Sequence, residues 1–208
     1  MTDLAETSVD GRALSSRGKA TRRRLLEAAE TVFADLGYHE ASIVKITEAA
    51  GVAQGTFYLY FAGKKQIFDE LVRDLNTRVR HAMAEGARRG TTRTEVERHG
   101  FEAFFRFTAE HPALYRIVRQ AEFVSPEMLH YHYERLSLGY VEGLRAAMAE
   151  GEIAEANAEA LAWALMGMGE LLGMRWILWA GRDELPDEVW AEIERIIDCV
   201  LRVQDGGT

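Results

Sequence analysis

The densest set of side chains able to do chemistry lies in one seven-residue run, Gln54-Gly-Thr-Phe-Tyr-Leu-Tyr60. Its chemistry is recognition rather than bond-making. Gln54 offers a carboxamide to a base edge such as that of adenine, and Gly55 lets a backbone approach closely. Thr56 and Tyr58 supply hydroxyls, Leu59 an apolar surface for a thymine methyl, and Tyr60 a hydroxyl or ring edge near a sugar-phosphate backbone. Phe57 and Phe61 are four apart, share one helix face, and are expected to point inward and set the tilt of the run. A short helix whose N-terminus enters a major groove also turns free amides and a positive dipole end towards phosphates.

Patterns that imitate catalytic motifs fail on spacing. Gly167-Met-Gly-Glu-Leu-Leu-Gly173 lacks the spacing and the preceding strand of a dinucleotide fingerprint. His130 and His132 are two apart, so on a helix they diverge by about 200° and cannot share a metal. Nucleophile elbow, zinc-protease motif and phosphate loop are all missing. No catalytic residue, metal or cofactor is expected. Cys199, the single cysteine, cannot form an internal disulfide; a reducing compartment, the cytoplasm, is the expectation, with Cys199 a small core or interface residue.

The elements that must hold these residues are helical. The 208 residues are 48% apolar and 28% charged, the composition of an ordinary soluble globular protein. Strand-like alternation is nearly absent, and Pro112, Pro126 and Pro186 each precede a helical stretch, where proline is best tolerated. The apolar stretch Leu161–Trp179 contains Glu170 and Arg175, which predicts a buried helix and no membrane span, and the first twenty residues hold no apolar run of signal-peptide length.

Periodicity predicts a first helix from Lys19 or Thr21 to Leu36, stopped by Gly37 in a left-handed cap. A second, capped by Ser42, turns Ile43, Ile46, Ala49 and Ala50 inward and leaves at Gly51. A third starts near Gln54; two short helices around a glycine turn are a helix-turn-helix. A fourth carries Ile67, Phe68, Leu71, Val72 and Leu75 to about Met83, and residues 85–94 read as a joint. Further helices follow over 94–110, with Thr94 and Glu97 in capping-box spacing, from Pro112, from Pro126 to Gly151, from Asn157 to Ala180, and from Pro186 to Val203.

The net charge of −8 is unevenly placed: residues 12–65 hold nine Lys/Arg against five Asp/Glu, and residues 66–208 hold 16 against 25. A locally basic end on an acidic body permits polyanion binding at that end only.

The stretch Ser42–Phe68, together with Arg24, Ala28, Ala29, Phe33 and Gly37 before it, closely resembles the DNA-binding signature of the tetracycline-repressor (TetR-type) family of bacterial transcription regulators. That resemblance implies an all-α protein with an N-terminal three-helix reading domain over 19–65, preceded by a flexible arm over 1–18, and a C-terminal ligand-binding and dimerisation domain over 66–208. It implies phosphate or backbone anchors at Ser42, Tyr58, Tyr60 and Lys64, and base readout by Gln54, Gly55, Thr56 and Leu59. The chain departs from the family pattern at Lys45 and Thr47, where an acid and an alanine are common, and at Ala53, which replaces a capping serine at a local cost of about 1 kcal/mol. Lys45 is either a phosphate contact or a solvated residue; the Arg22-Arg23-Arg24 run is a charged helix start or a phosphate contact.

The resemblance further implies a homodimer on a palindromic operator of double-stranded DNA, a repressor released when a small hydrophobic or amphipathic effector binds. Gly169 and Gly173, with Ile193, Ile196, Ile197, Val200 and Leu201, are the dimer-interface candidates, their alternative being the subunit's own core. Phe104, Phe105, Tyr115, Val118, Phe123, Tyr131, Trp163, Met166, Met174 and Trp176 are the candidate pocket lining. Arg119 and Arg175 either bind an anionic head group or pair with a local acid. The rival reading is a small-molecule-binding helical protein or enzyme without operator binding. Three phosphates neutralised per subunit of a dimer give a salt slope, log affinity against log salt, of about −5.

Overall fold

The computed structural model describes residues 7–201. Helices α1 (Ser16–Glu40), α2 (Ile43–Ala49), α3 (Gln54–Phe57), α4 (Lys64–Ala87), α5 (Arg93–Glu110), α6 (Ala113–Val124), α7 (Pro126–Ala149), α8 (Ala158–Gly173) and α9 (Asp187–Leu201) follow in order. The chain is all-α; among the described residues the extended structure is one isolated antiparallel bridge, Thr7 with Ala13. The first six residues of the expected arm, and the predicted helix end at Val203, lie outside the described residues. Two compact units divide the chain, one of residues up to 75 with 116–130, the other of 76–115 with 131 onward.

In the first unit Ser15 caps α1, its side chain accepting from the Gly18 N–H at 3.2 Å. Gly37 does not end that helix in the left-handed cap expected. It sits at φ 75°, ψ 162°, a region effectively reserved for glycine, and one more turn follows to Glu40. The break is mended by Gln120 of α6, whose carbonyl accepts from the Tyr38 N–H at 2.5 Å while its amide donates to the Phe33 carbonyl at 3.3 Å. Ser42 caps α2 by accepting from Lys45 N–H at 3.2 Å. The inner face of α2 is Ile46 and Thr47; Ala49, expected inside, is exposed. Thr47 satisfies its buried hydroxyl by donating to the Val44 carbonyl at 2.9 Å.

The second unit packs Phe101 and Phe105 of α5, Leu144 and Met148 of α7, Leu165 of α8 and Ile193, Ile197 and Leu201 of α9 into one core. The capping box of α5 is Thr92 with Glu95, two residues before the predicted pair. Glu97 is instead buried, bonded by Arg93 and by the Tyr140 hydroxyl, and desolvation raises its pKa. Asn157 caps α8 by accepting from Glu159 and Ala160 N–H groups. The helix continues as a π-helical turn, Met174–Leu178.

The glycines of α8 are tight contacts within the chain and not the dimer seam expected of them. A Cβ at Gly169 would stand 3.1 Å from the Phe101 ring, and one at Gly173 would overlap the Tyr115 hydroxyl. Ile193 and Ile197 likewise belong to the core of the unit. Ala158–Leu178 is long and apolar enough to cross a membrane by length and composition, and 33% of its most apolar window is buried, so the buried helix predicted there is corrected to a partly exposed one. Its exposed apolar side chains include Trp163 and Leu171, with Trp179 just beyond and Val200 on α9. Glu170, the acid within that stretch, accepts from the Tyr133 hydroxyl at 2.8 Å.

His132 of α7 is buried beside Asn76, which donates to the His132 carbonyl at 3.0 Å and lies 3.3 Å from its Nδ1. Burial lowers the pKa of this imidazole from 6.5 to about 4. The unfolded chain therefore takes up a proton at His132 below about pH 6.5 that the folded chain refuses until about pH 4, so this group withdraws stability as pH falls through that window, by up to about 3 kcal/mol. Urea unfolding at pH 7 and pH 4.5 checks this: His132→Gln is expected to lose less stability between the two than the unsubstituted chain. An equal loss in both contradicts it.

Candidate nucleic-acid interface

A helix of four residues is too short to hold itself together, so α3 is positioned by what it buries. Phe57 and Phe61 are fully buried, their rings 5.5 Å apart, as are Leu25, Phe33, Ile46, Phe68 and Leu71 of the neighbouring helices. The four-residue spacing that sends these two phenylalanines inward leaves Gln54, Gly55, Tyr58 and Leu59 on the outside, with Leu59 59% exposed. Thr56 and Tyr60 are half-buried at the margin. Ala53 supplies no side-chain cap to α3. Gly51, at φ 64°, makes the turn between α2 and α3.

Two of the expected DNA-contact cations are turned to other work. Arg22 is 4% exposed, forms an ion pair with Glu70 of α4, and lies over the Phe61 ring with its guanidinium carbon 4.9 Å from the centroid. It clamps α1 to α4 behind the α3 anchor and is withdrawn as a phosphate contact. Lys64 donates to the carbonyls of Tyr38 and Ala41, both at 2.8 Å, and of His39 at 3.4 Å, and stands 4.4 Å from the Tyr38 ring centroid. Its three ammonium protons thus satisfy carbonyls left open where α1 ends, and the expected phosphate anchor is a staple. Neighbouring Lys65 is also engaged, with Asp69 at 2.8 Å, Ser125 Oγ at 3.0 Å and Glu127 at 2.8 Å. The bond from Lys65 holds the Glu127 carboxyl down at about 2.

Of the cations expected to touch DNA, Arg23 and Lys45 face outward, and Arg24 beside them does too. Arg23 pairs with Glu27 at 2.9 Å across one exposed helical turn, a pair weak enough to be exchanged for a phosphate. Lys45 donates to the Glu40 carbonyl at 3.0 Å from an exposed position. The Ser42 oxygen accepts the α2 cap bond, which leaves its hydroxyl proton free to donate. Sequence reading missed one feature: the Val9 N–H donates to the Leu59 carbonyl at 3.1 Å, which ties the turn around Gly11 to the end of the recognition run. A backbone-to-backbone bond carries no side-chain signature.

The expected pocket residues are spread over both units. In the first, Val118 is buried, Arg119 exposed, and Phe123 is 83% exposed, so Phe123 lines no interior. In the second, Phe105, Tyr115 and Met174 are buried, Phe104, Tyr131, Met166 and Trp176 half-buried, and Trp163 lies exposed with its ring 6.0 Å from that of Tyr133. Cys199 is exposed. Among the described residues no group of three His, Cys, Asp or Glu is placed to hold a metal.

Comparison with known proteins agrees with this geometry. The family model of bacterial regulatory proteins, tetR family, matches residues 25–71. The chain is 32% identical over 190 residues to the uncharacterized HTH-type transcriptional regulator YdgC of Bacillus subtilis, covering 88% of this chain and 94% of that protein. To the fatty acid metabolism regulator protein of the same organism it is 43% identical over 51 residues, a match that spans only 26% of that protein. Among solved structures, Salmonella enterica GusR superposes with a TM-score of 0.76 at 22% identity, over 90% of this chain and 98% of that one. Bacillus subtilis FadR in complex with stearoyl-CoA gives 0.74 at 21% identity, over 86% and 99%.

Removing one member of a buried ion pair leaves an uncompensated charge, at a typical cost of about 3–5 kcal/mol. Arg22→Ala is accordingly expected to lower the thermal midpoint strongly, and the double change Arg22→Met with Glu70→Met to recover most of the loss. A melting curve unchanged by Arg22→Ala contradicts the clamp.

Proposed function

This chain belongs to the tetR family of bacterial regulatory proteins, and is therefore a helix-turn-helix transcriptional regulator and not an enzyme, from which premise we propose a cytoplasmic homodimer that represses from a palindromic operator and is released by a small apolar or amphipathic effector. The observation that carries the DNA-reading half is the division of α3 and the turn after it: Phe57 and Phe61 buried, Gln54, Gly55, Tyr58 and Leu59 presented outward. Base readout falls to Gln54, Thr56 and Leu59, with Gly55 giving backbone access. Phosphate anchoring falls to Ser42, Tyr58 and Tyr60 through hydroxyls and to Arg23 and Lys45 through charge.

One four-residue helix reads too few base pairs to be selective in a genome, and symmetric pairing doubles the site. The unpartnered apolar side chains of α8 and α9 supply the seam. The exposure of Leu171 at 62%, of Trp179 just beyond α8 at 66%, and of Val200 supports this, with Ile196 half-buried one turn before Val200, in place of the inward-turned glycines and isoleucines. Release works by differential affinity: an effector that binds best to a conformation with wrongly spaced α3 helices drains the DNA-competent population. Helix α4 runs without interruption from Lys64 to Ala87 and contributes residues to both units, which makes it the covalent route for that coupling. The stearoyl-CoA complex of Bacillus subtilis FadR is a precedent on this fold for an effector with a long apolar tail.

Selection from a random duplex pool at low salt tests the reading. The expected product is an inverted repeat, and Gln54→Ala is expected to relax preference at one position per half-site by about 1–3 kcal/mol. With Arg22 and Lys64 occupied internally, Arg23 and Lys45 remain of the four cations expected to touch DNA, so the salt slope is expected near about −4 rather than −5. Arg23→Ala with Lys45→Ala is expected to remove most of it. No enriched sequence, or a slope near zero in the unsubstituted protein, overturns the proposal.

A further inference from the structure

Within the second unit, the C-terminal half of α4, the start of α5 and the middle of α7 line an open cavity of about 630 Å3, within the usual range of small-molecule sites, about 300–1,000 Å3. Its apolar wall includes Met83, Ala84, Val96 and Leu136, and its charged wall is Arg80, Arg88, Arg93 and Arg135 against the single carboxylate of Glu97. That balance runs against the surroundings, since residues 66–208 carry 16 Lys/Arg and 25 Asp/Glu. A neighbouring cavity of about 740 Å3 shows the background: six carboxylates, among them Glu95, Asp183 and Glu194, face two arginines. A cationic recess in an acidic body focuses field onto an anion.

Two of the four arginines are engaged elsewhere. Arg93 is held by Glu97, which Tyr140 also bonds, and Arg88 pairs with Glu85. Arg80 is different. Its Nε donates to Asn76 Oδ1 at 3.0 Å, and Asn76, fully buried, is itself fixed by the bond from its amide to the His132 carbonyl at 3.0 Å. The relay His132, Asn76, Arg80 accounts for two buried polar side chains and pre-orients a guanidinium whose terminal nitrogens stay open to a carboxylate or phosphate. Arg135 faces the same cavity from α7.

We infer that this cavity takes an anion-headed amphiphile, its carboxylate or phosphate bound by Arg80 and Arg135 and its apolar tail laid along Met83, Ala84, Val96 and Leu136. The inference rests on the reading that the second unit receives the effector, and adds the chemical class of that effector and the residues that choose it.

Calorimetry of the full chain against dodecanoate, dodecanoyl-CoA and the neutral dodecanol tests it, the first two separating a free acid from an acyl thioester bearing phosphates. At least one anion is expected to bind about tenfold or more tightly than the alcohol, the discrimination of a charge-assisted hydrogen bond. Arg135→Ala, at an exposed position, and Arg80→Gln are each expected to erode that preference. Gly139→Phe, where an added Cβ meets nothing within 4 Å, is expected to fill the cavity and abolish binding of all three. Acid and alcohol binding equally, both blocked by Gly139→Phe, overturns the anion assignment while leaving an effector cavity. Anion binding that survives Gly139→Phe, or no binding by any probe, overturns the cavity as the site.

Discussion

The reading surface exists because two phenylalanines are buried. A helix of four residues has no cooperative stability of its own, and α3 keeps its place through Phe57 and Phe61, both fully buried. Behind them the Arg22–Glu70 pair and the guanidinium over Phe61 lock α1 to α4. Everything presented outward, from the Gln54 carboxamide to the Leu59 side chain, inherits its geometry from that anchor. Catalysis-grade precision in a base-reading side chain comes from packing on the side it does not show.

The charge of the first unit is spent in the same spirit. Of the basic residues near the recognition run, Arg22, Lys64 and Lys65 serve the fold: one in a buried pair, one stapling the carbonyls at the end of α1, one tying α4 to Ser125 and Glu127. Arg23, Arg24 and Lys45 face outward, and in the proposed reading the hydroxyls of Ser42, Tyr58 and Tyr60 share the backbone contact with them. A reader built this way leans less on counterion release than its count of lysines and arginines suggests. In the second unit a buried asparagine and a neutral histidine are organised towards Arg80, so polar burial there also serves orientation.

Much of this was legible in the residues alone. The inward pair Phe57 and Phe61, the Ser42 cap and the glycine turn at Gly51 are local features, set by periodicity and by a side chain reaching three residues along the chain. What escaped depends on partners distant in sequence. A basic residue at a helix start looks solvated until an acid 48 positions later, Glu70, is brought beside it; a glycine pair on a helix signals close approach without saying whether the neighbour is Phe101 and Tyr115 or a second subunit. Gly37 resembles a helix stop because nothing near it in sequence announces that Gln120 mends the break. The cationic cavity was likewise invisible, since Arg80 and Arg135 lie on different helices in an acidic stretch.

The measurement that tests the central claim most directly is site-specific cross-linking from the outer face of the turn that follows α3. In a Cys199→Ser background, Leu59→Cys carrying a photoreactive maleimide is irradiated on a duplex selected from a random pool. The account predicts a covalent adduct between position 59 and the DNA within each half-site. A protein that still shifts the duplex but yields no adduct from position 59 would show that another surface does the reading.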